Sequence, residues 1–199
     1  MERTYQFNEL YTKQKHLGRG GFGSVFQVYN NSSKEEHAMK EIKTLGMKRT
    51  LLDTEVSIMK NCVHDNIVQY FCHFYENNTL YIIMELCHGD LRAAIKAQKQ
   101  SGHLFSEKQL LMWFFGLFKG VVYLHSKRII HRDIKPLNIL LSANGCIKLT
   151  DFQKFKVYTI GRLLFFLTNI VYHSEFTSEI ARSKAGTTLY MAPEVFKRK

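Results

Sequence analysis

The 199-residue sequence predicts an α+β fold in two lobes, the first rich in strands and the second in helices. Three observations carry that expectation. Residues before Gly89 break into short runs rich in β-branched and aromatic side chains, punctuated by Gly and Asn. Beyond Gly89 come long, proline-free stretches with apolar residues at helical spacing. Between the two textures, Glu85 to Gly89 reads as a short link, and a cleft is expected there because ligand sites favour such junctions. The strand-rich lobe is expected over about residues 8–86 and the helical lobe over about 89–199.

Taken in order, "QKHLGRGGFGSVFQVYN" is strand-like and broken by glycines, and "EEHAMKEIK" is a short strand. "TLLDTEVSIMKNC" sets Leu52, Val56 and Met59 on one face of a helix that packs on the sheet. "NIVQYFCHFYENNTLYIIMELC" reads as a hairpin turning at Asn77-Asn78. "DLRAAIKAQKQ" and "SEKQLLMWFFGLFKGVVYLHS" are helices, the second opened by a capping box of Ser106 and Gln109. After them, "RII", "ILL" and "CIKLT" are short apolar strands.

Composition narrows the function classes. A hydrophobic content of 45% supplies a core, and 2 prolines and 12 glycines without a repeat or low-complexity tract argue against linkers and solenoids. Met1-Glu2-Arg3-Thr4-Tyr5 lacks an apolar signal core, so the cytosol or nucleus is the expected compartment. The 4 cysteines show no CxxC pair, so reduced thiols are expected and a zinc site is not. The formal charge of +11 is compatible with an anionic surface or with a phosphate-handling enzyme. Its basic residues are scattered and form no dense block, so no nucleic-acid partner is expected.

Gly18-Arg19-Gly20-Gly21-Phe22-Gly23-Ser24-Val25 is a glycine-rich turn whose backbone N–H groups can approach phosphate oxygens. By itself it fits an ordinary hairpin equally well, and the absence of a following helix excludes a dinucleotide fingerprint. In Ala38-Met39-Lys40 a lysine interrupts an apolar strand. A buried ammonium needs an anionic partner, and Glu55 on the helical segment is the candidate; the alternative is a lysine that reaches out to solvent. His131-Arg132-Asp133-Ile134-Lys135-Pro136-Leu137-Asn138 is a polar run between apolar strands, hence a structured loop. Asp151-Phe152 then supplies a carboxylate, with Asn138 a further oxygen donor, of the kind magnesium takes.

Glycine turn, strand lysine, helix glutamate, polar loop, Asp-Phe pair and Gly186-Thr187-Thr188-Leu189-Tyr190-Met191-Ala192-Pro193-Glu194 follow one another in the order of the eukaryotic protein kinases. From about Tyr11 to Glu194 the chain resembles a serine/threonine protein kinase catalytic domain. The resemblance implies the two-lobed protein-kinase fold, ATP as co-substrate, Mg2+ as metal, and a protein substrate with a serine or threonine acceptor. It implies that Leu17, Gly18, Gly20, Gly23, Val25, Ala38, Met84, Glu85, Cys87 and Leu140 bind ATP. Among these the three glycines cover the phosphates, Val25, Ala38 and Leu140 sandwich adenine, and Met84 guards the back of the pocket. The backbone at Glu85 and Cys87 bonds the adenine edge. It further implies that Lys40, held by Glu55, contacts the α- and β-phosphates, and that Asp133 accepts or orients the hydroxyl proton. Lys135 would steady the γ-phosphate and Asn138 and Asp151 would hold magnesium. Lys135 and Thr187 match the serine/threonine pattern.

"MELCHGDL", "FSEKQLLMWF" and "YLHSKRIIHRDIKPLNILL" are most similar to the NIMA-related kinases, with the translation-initiation-factor-2 and Ste-type kinases close behind, and "AMKEI" and "GTTLYMAPEV" fit the Ste-type group at least as well. Three features depart from the pattern. Gln153 stands where the family has glycine, at the position that absorbs a backbone rotation. An apolar insertion over about 154–176 follows; its uninterrupted part, Leu163 to Leu167, falls far short of the roughly 18 residues of a membrane span. The sequence stops shortly after Glu194, so the C-terminal lobe is expected to be incomplete, with the long helix left partly uncovered and activity weakened. These departures keep open a second class, a pseudokinase-like module that binds nucleotide or a partner without turnover. Thr177, Ser178 and Ser183 are candidate phosphorylation sites that could pair with Arg132. The oligomeric state is left open.

Overall fold

The computed structural model describes residues 7–20, 23–151 and 156–157, and the expected α+β arrangement is present in them. A helical turn α1 (Phe7–Leu10) leads into a five-stranded antiparallel sheet of β1 (Tyr11–Gly20), β2 (Gly23–Asn30), β3 (Glu36–Lys43), β4 (Tyr70–Glu76) and β5 (Thr79–Met84). Its spatial order is β1-β2-β3-β5-β4, and helix α2 (Arg49–Asn61) connects β3 to β4. The β4–β5 hairpin turns where the sequence places it. Asn77 (φ 47°) and Asn78 (φ 55°) are both left-handed, the conformation that a two-residue hairpin turn demands and that Asn tolerates.

Strand periodicity decides which residues meet α2. Ala38, Ile42, Leu80, Ile82 and Met84 lie in the same buried cluster as Leu52, Val56 and Met59 of α2. Lys40 shares the face of Ala38 and Ile42, so the two-residue repeat turns an ammonium group toward the helix. The opposite face of the sheet, Val28, Met39 and Ile83, is covered by Phe7 and Tyr11. Phe7 stacks on Tyr81 with ring centroids 5.1 Å apart, and its amide donates to Glu76 Oε2 at 3.2 Å.

Past β5 come β6 (Gly89–Asp90), α3 (Leu91–Ser101), α4 (Glu107–Ser126), β7 (Ile129–Ile130), a 3-10 turn (Pro136–Asn138), β8 (Ile139–Leu141), β9 (Ile147–Leu149) and β10 (Lys156–Val157). Asp90 caps α3 by accepting from the Ala93 amide at 2.7 Å, and Gly102 ends the helix in the left-handed conformation with φ 73°. Ser106 caps α4 by accepting from the Gln109 amide at 3.2 Å. Only this half of the expected capping box forms. The buried Gln109 Nε2 has no hydrogen-bond partner, and Gln109 does not reach back to the Ser106 amide.

Asn66 fastens the two lobes together. Its side-chain amide donates to the Ile147 carbonyl at 3.0 Å, its carbonyl accepts from the Leu149 amide at 2.8 Å, and Ile67 bridges Leu149 in parallel. α4 approaches this junction through Gly116 and Gly120, one helical turn apart. A Cβ on Gly120 would lie 3.1 Å from the Asn66 carbonyl and 3.2 Å from Leu149 Cδ1, so the close approach needs glycine. Away from this contact, Leu110, Phe114, Phe115 and Phe118 of α4 are exposed. No helix among the described residues is long and apolar enough to cross a membrane.

Gly120→Val is expected to lower unfolding free energy by about 1–3 kcal/mol, the range for overpacking a tight contact. Urea denaturation measures it, with Ala97→Val on the exposed face of α3 as a control that changes stability far less.

Candidate active site

Lys40 sits in mid-sheet, opposite Val25 on β2 and Ile82 on β5. Its Nζ is 3.1 Å from Glu55 Oε1 and 3.4 Å from Asp151 Oδ1. The Lys40 side chain is 13% exposed, and Glu55 is buried, so the alternative of a lysine reaching solvent does not hold. Removing such charges from water costs several kcal/mol per ion unless they are paired, and here three converge. Glu55 lies on the stripe of Leu52, Val56 and Met59, which aims its carboxylate at the sheet.

The loop between β7 and β8 is built on His131. This ring is buried; its Nε2 donates to the Thr150 carbonyl at 2.8 Å, while Nδ1 accepts from the Asp133 amide at 3.3 Å. Those roles require neutral imidazole protonated at Nε2. Burial holds its pKa below the ordinary value of 6.5, opposed in part by the Thr150 hydrogen bond. Arg132, next in the chain, is left-handed at φ 62°, as is Asp151 at φ 68°. Left-handed backbone on residues other than glycine costs on the order of 1–3 kcal/mol and persists where surrounding contacts impose it.

Asp133, 4% exposed, lies at the centre of the loop. Its Oδ2 accepts from Lys135 Nζ at 2.8 Å and from Asn138 Nδ2 at 3.0 Å. Asn138 Nδ2 also donates to the Asp133 carbonyl at 2.9 Å, which turns the amide oxygen of Asn138 away from these bonds and leaves it to act as an acceptor. The Asn138 carbonyl accepts from the Thr150 amide at 3.1 Å, so Asn138 and Asp151 are brought together by adjoining backbone. An amide oxygen and a carboxylate are hard donors that suit magnesium, which is completed by phosphate oxygens and water.

The residues predicted to hold adenine share one region. Ala38 and Met84 are register partners across β3 and β5, both buried, and Val25, Cys87 and Leu140 pack against the same cluster. Leu17 is 41% exposed and is not part of that cluster. The link is anchored by Lys148 Nζ, 2.7 Å from Glu85 Oε2, and by the Glu85 amide, which donates to the Gln69 carbonyl at 2.8 Å. The Glu85 amide is thus already engaged, whereas no backbone bond holds the Cys87 amide among the described residues. Gly23 is required sterically, since a Cβ there would collide with the Glu41 carbonyl of β3; Gly18 and Gly20 have open space. Of the 154–176 insertion only Lys156 and Val157 are described, paired with β7; Thr187, Gln153, Thr177, Ser178, Ser183 and Glu194 lie outside the described residues.

Sequence reasoning placed His131 in the polar loop without its supporting role, and missed Thr150, Asn66 and Lys148, which also hold the parts of the site in place. The only signal in the sequence was the polar character of Lys148 and Thr150 beside apolar strand residues. A separate groove of about 670 Å³ runs between α4 and the β8–β9 turn, lined by Asp65, Phe115, Lys119 and Asn144, and shares only Glu85 with the predicted ATP-binding residues.

A family profile described as the protein kinase domain matches residues 11–199. The chain is 36% identical over 195 residues to serine/threonine-protein kinase Nek1 of Mus musculus, covering 96% of this chain and 15% of that protein. It is 36% identical over 196 residues to serine/threonine-protein kinase Nek5 of Homo sapiens, covering 96% of this chain and 25% of that protein. To calcium-dependent protein kinase 6 of Plasmodium berghei it is 34% identical over 199 residues, covering 98% of this chain and 12% of that protein. The chain therefore spans a quarter or less of the length of these three relatives.

Because His131 titrates lower in the folded state, the unfolded chain binds more protons just below pH 6.5. Its contribution is full above that value and is lost as pH falls. His73, also lowered by burial, acts in the same direction. Unfolding free energies from urea denaturation between pH 7.5 and 5.5 are expected to fall more steeply for the wild type than for His131→Phe, by at most about 1.4 kcal/mol per pH unit. Parallel profiles would show that the imidazole is not held neutral.

Proposed function

The chain belongs to the protein kinase domain family, and on that premise we propose that it transfers the γ-phosphoryl group of ATP to serine or threonine hydroxyls of protein substrates. The supporting observation is that the Lys40–Asp151 contact, which spans 111 positions, adjoins the Asp133–Asn138 contact through the bond between the Thr150 amide and the Asn138 carbonyl. Phosphoryl transfer asks little covalent chemistry of a protein; it asks for charges fixed in advance.

In this reading Lys40, oriented by Glu55, neutralises the α- and β-phosphates. Asn138 and Asp151 would hold magnesium, which would supply positive charge to offset that of the phosphates. Asp133 orients the substrate hydroxyl and accepts its proton as the oxygen bonds to the γ-phosphorus and the bond to the bridging oxygen of ADP breaks. Lys135, 2.8 Å from Asp133, places a cation where the γ-phosphoryl charge passes. The Cys87 amide and the carbonyl of Glu85 bond the adenine edge, and Ala38, Val25 and Leu140 enclose the ring. Asn138 also orients Asp133 through two hydrogen bonds, so one residue serves metal and base.

A radiolabelled ATP assay with a generic protein substrate tests the proposal. Asp133→Asn is expected to reduce transfer by about 10²–10⁴-fold while ATP still binds. Equal signals from both proteins would exclude intrinsic catalysis. ATP binding without turnover would identify instead the nucleotide-binding module that Gln153 favours.

A further inference from the structure

The Lys40–Glu55 pair depends on the rotation of α2 about its own axis, and the apolar stripe of α2 sets that rotation only coarsely, by choosing the face that meets the sheet. Burial of Leu52, Val56 and Met59 holds the helix down on the sheet, but hydrophobic contact is non-directional. The N-terminus of α2 offers little restraint: Lys48 at the cap position makes no side-chain bond, and no acidic residue lies in the first turn. With side-chain tips roughly 5–6 Å from the axis, a 20° turn of α2 moves a tip by about 2 Å. That displacement is enough to break the 3.1 Å contact between Glu55 and Lys40.

A directional restraint lies on β4. The Tyr75 hydroxyl donates to Asp53 Oδ1 at 2.7 Å, and the Arg49 guanidinium lies over the Tyr75 ring, 4.0 Å from its centroid. Arg49 Nε is 3.8 Å from Asp53 Oδ2, so the carboxylate is shared between the helix and the strand. Burial, reinforced by the Asp53 hydrogen bond, pushes the Tyr75 hydroxyl up to about 12, so it stays a donor at any physiological pH. Asp53 and Glu55 are two residues apart, about 200° around the helix. Pinning both leaves α2 a single rotation.

We propose that Tyr75, by clasping Asp53 and Arg49, is a positioning residue that sets the rotation of α2 and thereby the Glu55–Lys40 pair. Its kinetic consequence rests on the phosphotransferase reading above; its structural consequence does not.

Hydrogen exchange read by mass spectrometry on the full chain tests the clasp directly. Tyr75→Phe is expected to speed exchange in peptides covering residues 49–61 while β2 and β3 are unchanged. Asp53→Ala should behave alike, and Asp53→Asn, which keeps an acceptor oxygen, should stay close to wild type. In steady-state kinetics Tyr75→Phe should raise KM for ATP about fivefold, the worth of one hydrogen bond, leaving KM for the protein substrate unchanged. In a Glu55→Gln background Tyr75→Phe should add less than about twofold, because the clasp acts through Glu55. Unchanged exchange in α2, a uniform rise across the sheet, or the same loss in both backgrounds would overturn the proposal. A wild type without turnover would sink the functional reading alone, and the exchange pattern would still decide the clasp.

Discussion

One chain of charge, Glu55 to Lys40 to Asp151, buried at its first two members and half-buried at the third, sustains the rest of the site. Each member comes from a different part of the fold: a helix, the middle of the sheet, and the segment after β9. An isolated charge at any of these positions would be strongly disfavoured, whereas together they are tolerated and, in being tolerated, fix the strand-rich lobe against the second lobe. A cleft lined this way keeps a cation and an anion at set positions before any ligand arrives, which is the arrangement that polyanion chemistry rewards.

The second lobe meets that chain with a framework of neutral hydrogen bonds. Thr150 is the shared point, its carbonyl taken by His131 and its amide by the Asn138 carbonyl. Through it the loop that carries Asp133 and the strand end that carries Asp151 are held as one unit. The left-handed backbone at Arg132 and Asp151 is local strain kept in place by these bonds. Beneath them, Asn66 and the two glycines of α4 let helix and strand approach closely enough for the loop to have a floor.

Much of this was legible in the sequence. A lysine in an apolar strand announces a buried partner, and Glu55 falls on the buried face of its helix by simple 3.6-residue arithmetic. The Asn-Asn hairpin and the Ser106 cap follow from local stereochemistry, because their partners are two or three residues away. What stayed hidden depends on contacts between distant residues. Asn66 reaches Ile147 across 81 positions, and nothing in the periodicity of either segment encodes the meeting. The missing half of the capping box has the same origin, since Gln109 Nε2 is buried by packing that the local motif does not describe. The tautomer of His131 likewise follows from a carbonyl 19 residues onward.

The central claim is that Lys40, Asp133, Asn138 and Asp151 form one receptor for a metal-bound triphosphate. Isothermal titration of ATP into the full chain, with magnesium and then with excess chelator, tests it most directly when repeated on Lys40→Met. The account predicts a single saturable site that weakens at least about tenfold on losing either the metal or the Lys40 charge. Binding indifferent to both would contradict it.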